Sequence, residues 1–120
     1  MAVAAGERVF SRGESNDKVF LVRRGRVDIL LPLPGGKRHH LATFCRGDFF
    51  GELAFLDRGI RSADAEAKTD VDLYMLSRER FDEIARRDAV LAARVFSRIA
   101  KVVAFRLRNA DAELASLENR

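Results

Sequence analysis

The residues best placed to do chemistry lie in one run, Arg46-Gly47-Asp48-Phe49-Phe50-Gly51-Glu52-Leu53-Ala54-Phe55-Leu56-Asp57-Arg58-Gly59-Ile60-Arg61-Ser62-Ala63. Gly51 leaves the backbone free of a Cβ just before Glu52 to Phe55, which can form one helical turn whose first N–H groups are open to an anion. Arg61 returns after a tight loop containing Gly59, and its planar guanidinium can hold two oxygens of a phosphate at once. Glu52 would repel a phosphate, a conflict that resolves if its carboxylate points away and accepts a hydrogen bond from a sugar hydroxyl. Together these groups describe a phosphate with an adjacent hydroxyl, the chemistry of a nucleotide. On residue types alone, a turn and a surface salt bridge stand as the alternative.

Such a loop needs a rigid frame, and the rest of the chain supplies the pattern of one. From about Arg8 to Ser77 the apolar runs are short and separated by breaks at Ser11 to Asn16, Arg24-Gly25, Pro34 to Gly36 and Arg46 to Asp48, the spacing of strands joined by hairpin turns. After Ser77 the period becomes helical. Ser77, with Arg80 three residues on, reads as an N-cap for a short helix whose apolar face is Phe81, Ile84 and Ala85. A second, long helix is expected from near Asp88 with Leu91, Val95, Ile99, Val102, Leu107, Ala110, Leu114 and Leu117 as its stripe. Leu114 and Leu117 lie near heptad spacing and suggest pairing with a second copy or a solvated tail. The fold class predicted is mainly β with C-terminal helices.

The 120 residues suit one domain with one core. Hydrophobic residues at 48% and charged residues at 33% place the chain in the globular class. No apolar stretch approaches the length of a membrane span, and Met1 to Gly6 is too short for a signal peptide. The net charge of +4 is modest for a chain that wraps nucleic acid. The basic turn residues Arg23, Arg24, Arg26, Lys37 and Arg38 lack interleaved aromatic rings and read as solvated positions. Cys45, the one cysteine, is expected as a small core residue in a reducing, cytoplasmic setting. His39 and His40 are strand neighbours on opposite faces, so no metal site is expected. No catalytic set has motif context, and the chain does not read as an enzyme.

The wider pattern adds specificity. Gly13, Asp17, Phe20, Val22 and Gly25, then Gly47-Asp48-Phe49-Phe50-Gly51-Glu52-Leu53-Ala54, then Arg61-Ser62-Ala63 and Ala67, resemble the cyclic nucleotide-binding domain of catabolite activators, protein kinase A regulatory subunits and gated channels. The resemblance runs from about Gly6 onward. It implies a jelly-roll-like β-barrel of about eight strands over residues 6–77, with a short helix and a long C-terminal lid helix over residues 78–120, forming a single domain over residues 1–120. It further implies that Arg61 pairs with the cyclic phosphate, aided by Ser62 and the backbone around Gly51, Leu53 and Ala54, while Glu52 takes the ribose hydroxyl. Ile29, Leu41 and Phe50 would line the apolar part of the pocket, and Arg106 or Ala110 would cover the base. The ligand is then cyclic AMP or cyclic GMP, with no further cofactor.

The chain departs from family patterns at both ends. Only Met1 to Ala5 precede the expected first strand, and no helix-turn-helix follows, so no DNA-binding domain and no direct nucleic-acid contact is expected. The implied role is a regulatory sensor that relays occupancy to an effector outside this sequence. The phrase from Gly47 to Asp57, with Arg61 to Ala65 and Asn109 to Leu114, looks most like domains appended to the cytosolic end of bacterial sulfate-permease-type anion transporters. The alternative is a dimerisation or docking module of the same fold that no longer binds nucleotide.

Overall fold

The computed structural model describes the backbone of residues 1–118 and the side chains of residues 1–110. In chain order the elements are β1 (Ala2–Val3), β2 (Arg8–Phe10), β3 (Val19–Arg24), β4 (Val27–Pro32), a 3-10 turn (Pro34–Gly36), β5 (Arg38–Phe44), β6 (Phe49–Phe50), α1 (Glu52–Asp57), β7 (Asp64–Ala67), β8 (Val71–Leu76), α2 (Arg78–Arg87) and α3 (Ala89–Glu118). Two antiparallel sheets form, in the orders β1-β8-β3-β6 and β2-β7-β4-β5. The architecture is the jelly-roll-like one expected. By contacts the chain forms two units, Met1–Phe81 and the helical remainder from Asp82.

The sheets meet over a core of Val3, Phe10, Phe20, Val22, Val27, Phe50, Ala65, Ala67, Val71 and Leu73, with Val9, Ile29 and Phe44 packed against it. Phe50 stacks on Phe20 with centroids 5.1 Å apart and on Phe44 at 6.0 Å. Truncating a ring enclosed in this way costs about 3–5 kcal/mol, so the aromatic stack fixes how β3 and β6 approach each other.

The sheet begins earlier than the sequence pattern indicates: Ala2 and Val3 pair with Asp72 and Val71. Two residues are too few to show a period of two. The β3–β4 hairpin turns at Gly25, whose φ is +89° and where a Cβ would lie 2.3 Å from the Asp70 carbonyl oxygen. The Ser77 cap forms as read, and Asp88, near which the long helix is expected to start, proves to be the cap of α3. Ser77 Oγ accepts the Arg80 N–H at 3.1 Å, and Asp88 Oδ1 accepts the Leu91 N–H at 3.0 Å. Phe81 belongs with the barrel unit because its ring packs edge-on against Phe55 at 5.5 Å.

Along α3 the expected stripe holds in its middle and fails towards its ends. Ile99 is buried and Val95 and Val102 are half-buried, with Ala92 buried beside them, whereas Leu91, Leu107 and Ala110 are exposed, the two leucines falling off the seven-residue line through Ala92 and Ile99. The side chains of Leu114 and Leu117 lie outside the described residues. Cys45 also departs from expectation: it is exposed in the turn before β6, since the apolar run ends at Phe44 and Asp48 ties the turn down by accepting the Cys45 N–H at 2.9 Å. The Asp48 carboxylate also holds the Cys45 thiol above its usual range. No helix of the described residues is long and apolar enough to cross a membrane.

Candidate anion-binding site around Arg61

The site is built on backbone geometry that the sequence dictates. Gly51, at φ +77°, turns the chain from β6 into α1. A Cβ there would lie 2.7 Å from Arg61 Nη1 and 3.2 Å from the Lys18 carbonyl oxygen, so both conformation and space demand glycine. At the far end of α1, Arg58 adopts a left-handed φ of 54°, and Asp57 Oδ1 accepts the Gly59 N–H at 2.8 Å. The chain then returns to the β2–β3 loop: the Arg61 N–H donates to the Glu14 carbonyl, and the Gly13 N–H donates to the Arg61 carbonyl, both at 2.9 Å.

The Arg61 side chain turns inward and is 3% exposed. Its Nη1 donates to the Gly51 carbonyl at 2.8 Å, and its Nη2 donates to Asn16 Oδ1 at 3.0 Å and to the Lys18 carbonyl at 2.5 Å. The guanidinium lies over the Phe10 ring at 4.1 Å and faces Phe20 at 5.7 Å. Its Nε is buried without a hydrogen-bond partner among the described residues. Burial pushes the guanidinium below its ordinary pKa, and the negative charges of Glu14, Asp17 and Glu52 oppose that shift. A cavity of about 410 Å³ beside this cage is lined by Glu14 to Lys18, Arg58 and Gly59.

The structure thus brings Arg61 onto Gly51 and sets Glu52, itself buried, at the first position of α1. Ala54 is buried, whereas Leu53 and Ser62 are exposed. Ile29 is half-buried against the core, Phe50 is enclosed by Phe10, Phe20 and Phe44, and Leu41 is exposed on a bulge of β5 opposite Ile29 and Leu30. Arg106 is half-buried on α3, and Ala110 is exposed. Sequence reasoning missed three partners of the arginine. Asn16 sat in a break read only as a turn, Lys18 acts through its carbonyl, and Phe10 read as an ordinary strand residue. It also missed Arg78, whose Nη1 donates to the carbonyls of Phe55 and Leu56 at 3.0 and 3.1 Å.

Residues 1–88, which contain every element of this cage, match the cyclic nucleotide-binding domain family. The chain belongs to that family. The cyclic AMP receptor protein of Thermus thermophilus is 37% identical over 91% of this chain and 49% of its own length. A cAMP-dependent protein kinase regulatory subunit of Emericella nidulans is 34% identical over 67% of this chain and 19% of its own. The crystal structure of the Thermus thermophilus catabolite activator protein superimposes with a TM-score of 0.83 at 36% identity, covering 98% of this chain and 54% of that one. This cyclic nucleotide-binding domain therefore spans about half the length of its bacterial relative or less.

Proposed function

We propose that this regulatory domain captures cyclic AMP or cyclic GMP at Arg61 and Glu52. The observation that carries the proposal is the Arg61 cage: a buried guanidinium, stacked on Phe10, with Nε left without a partner beside the first turn of α1. A buried cation with unused donor capacity is costly unless an anion meets it. The cyclic phosphate would take that place, with the Ser62 hydroxyl and the N–H groups of Leu53 and Ala54 as further donors, while Glu52 accepts the ribose hydroxyl. Ile29 and Leu41 would serve the apolar side of the ligand.

Occupancy would leave the site through α1. Arg78, the first residue of α2, grips the last carbonyls of α1, so a shift of α1 draws the start of α2 with it and biases an equilibrium between two arrangements of the C-terminal helices. The effector we propose is a membrane anion transporter of the sulfate-permease type, on the strength of the phrase from Gly47 to Asp57.

Calorimetry of the chain with cyclic AMP and cyclic GMP tests the ligand, and saturable heat with at least one is expected. No heat with either at millimolar concentration removes the proposal. For the effector, sulfate uptake by cells carrying the parent protein should differ between wild type and Arg61→Ala, and identical uptake removes the transporter.

A further inference from the structure

A second basic site stands apart from Arg61, at the β3–β4 turn. Arg23, Arg24, Gly25, Arg46 and Asp72 line an open concavity of about 380 Å³. In a regular strand Arg23 and Arg24 would point to opposite faces. β3 carries a bulge here: its register against β8 passes from Val22↔Leu73 directly to Arg24↔Asp72, leaving Arg23 as the inserted residue. Both guanidinium groups consequently reach one carboxylate oxygen, Asp72 Oδ2, at 3.4 Å from Arg23 and 3.8 Å from Arg24.

Arg46 arrives from a turn locked to the same strand. The Gly47 N–H donates to the Val22 carbonyl at 2.9 Å, and the Val22 N–H donates to the Asp48 carbonyl at 3.0 Å. Asp48 closes that turn from within through the Cys45 N–H. Across the concavity, Gly25 sits too close to Asp70 and Val71 to carry a side chain. The backbones beneath all three arginines are therefore fixed, and no hydrogen bond or ion pair engages Arg46 among the described residues. One carboxylate against three guanidinium groups leaves the concavity with two positive charges in excess.

We propose that this concavity binds a diphosphate group. A diphosphate carries negative charge enough to answer the whole excess, and each planar guanidinium can present two donors to its oxygens. An anion bridging Arg46 to Arg23 and Arg24 would share those two with Asp72. Inorganic pyrophosphate and the diphosphate of a nucleotide present the same chemistry.

Calorimetry of the full chain with sodium pyrophosphate, and separately with ADP, at low and at physiological salt tests the site. Saturable pyrophosphate binding is expected, weakened by salt because the arginines are exposed. It should fall about fivefold or more in Arg46→Gln and in Arg23→Gln, and it should persist in Arg61→Ala. ADP binding that shows the same dependence on Arg46 assigns the group to a nucleotide, and ADP silence assigns it to free pyrophosphate. Absence of saturation at millimolar pyrophosphate overturns the proposal. So does binding that is unchanged in Arg46→Gln, or binding lost in Arg61→Ala, which would place the anion at α1.

Discussion

Helix α1 has an arginine at each end, and the two are set against aromatic rings in nearly the same way. At the N-terminal end Arg61 lies over Phe10, and at the C-terminal end Arg78 lies 5.5 Å from the Phe55 ring centroid and 5.8 Å from that of Phe81. Their electrostatics are opposite. Arg78 donates to the carbonyls of Phe55 and Leu56, where the helix presents partial negative charge, so cation and helix end complete each other. Arg61 sits beside the end with partial positive charge, buried and with one donor unmatched. The same residue type thus closes one end of the helix and leaves the other waiting for negative charge. Under the proposed function, the open end serves recognition and the closed end transmission of movement.

Substitutions at the two ends should separate these roles. Arg61→Ala should weaken cyclic nucleotide binding at least ~30-fold in calorimetry, since a charge-assisted phosphate contact contributes about 2 kcal/mol or more. Arg61→Lys should lose nearly as much, because an ammonium cannot place two parallel donors on two oxygens; wild-type affinity in that variant would contradict the proposed geometry. At the other end, Arg78→Ala should lower unfolding stability in denaturant by about 1 kcal/mol, a figure reduced for a side chain that is only half-buried. Its nucleotide affinity should shift by less than about tenfold, because a contact that relays occupancy bears on affinity through linkage but does not touch the ligand. An affinity loss in Arg78→Ala as large as that of Arg61→Ala would erase the distinction between the ends.

What could be read from the sequence depended on how local the causes are. The hairpin breaks, the glycine before α1, the cap at Ser77 and the start of α3 near Asp88 are set by residues within a few positions of one another, and they appear as expected. The return of Arg61 to Gly51 followed from a short loop. Contacts that close over long separations had no signature: Asn16 lies 45 residues from Arg61, and Arg78 lies 23 from Phe55. The bulge at Arg23 was hidden for another reason. A single inserted residue shifts register without changing composition, so two adjacent arginines read as ordinary solvated turn residues. Cys45 departs from the core position its apolar neighbours suggest because the run ends at Phe44, where Asp48 captures the backbone of the turn.

The sheet margins bear on how the protein behaves when crowded. Three of the four outer strands, β1, β2 and β6, are two or three residues long, too short to template a neighbouring chain. The fourth, β5, has seven residues. It begins with Arg38, bound to Glu66 of β7, continues through His39 and His40, and is interrupted by the bulge at Leu41. Charge and irregularity together deny an incoming strand a flat ladder to extend. The barrel therefore gains resistance to edge-to-edge aggregation from the same hairpin that sets the bulged Leu41 beside the Ile29–Ala42 pair, and smoothing that margin would trade this protection for regularity.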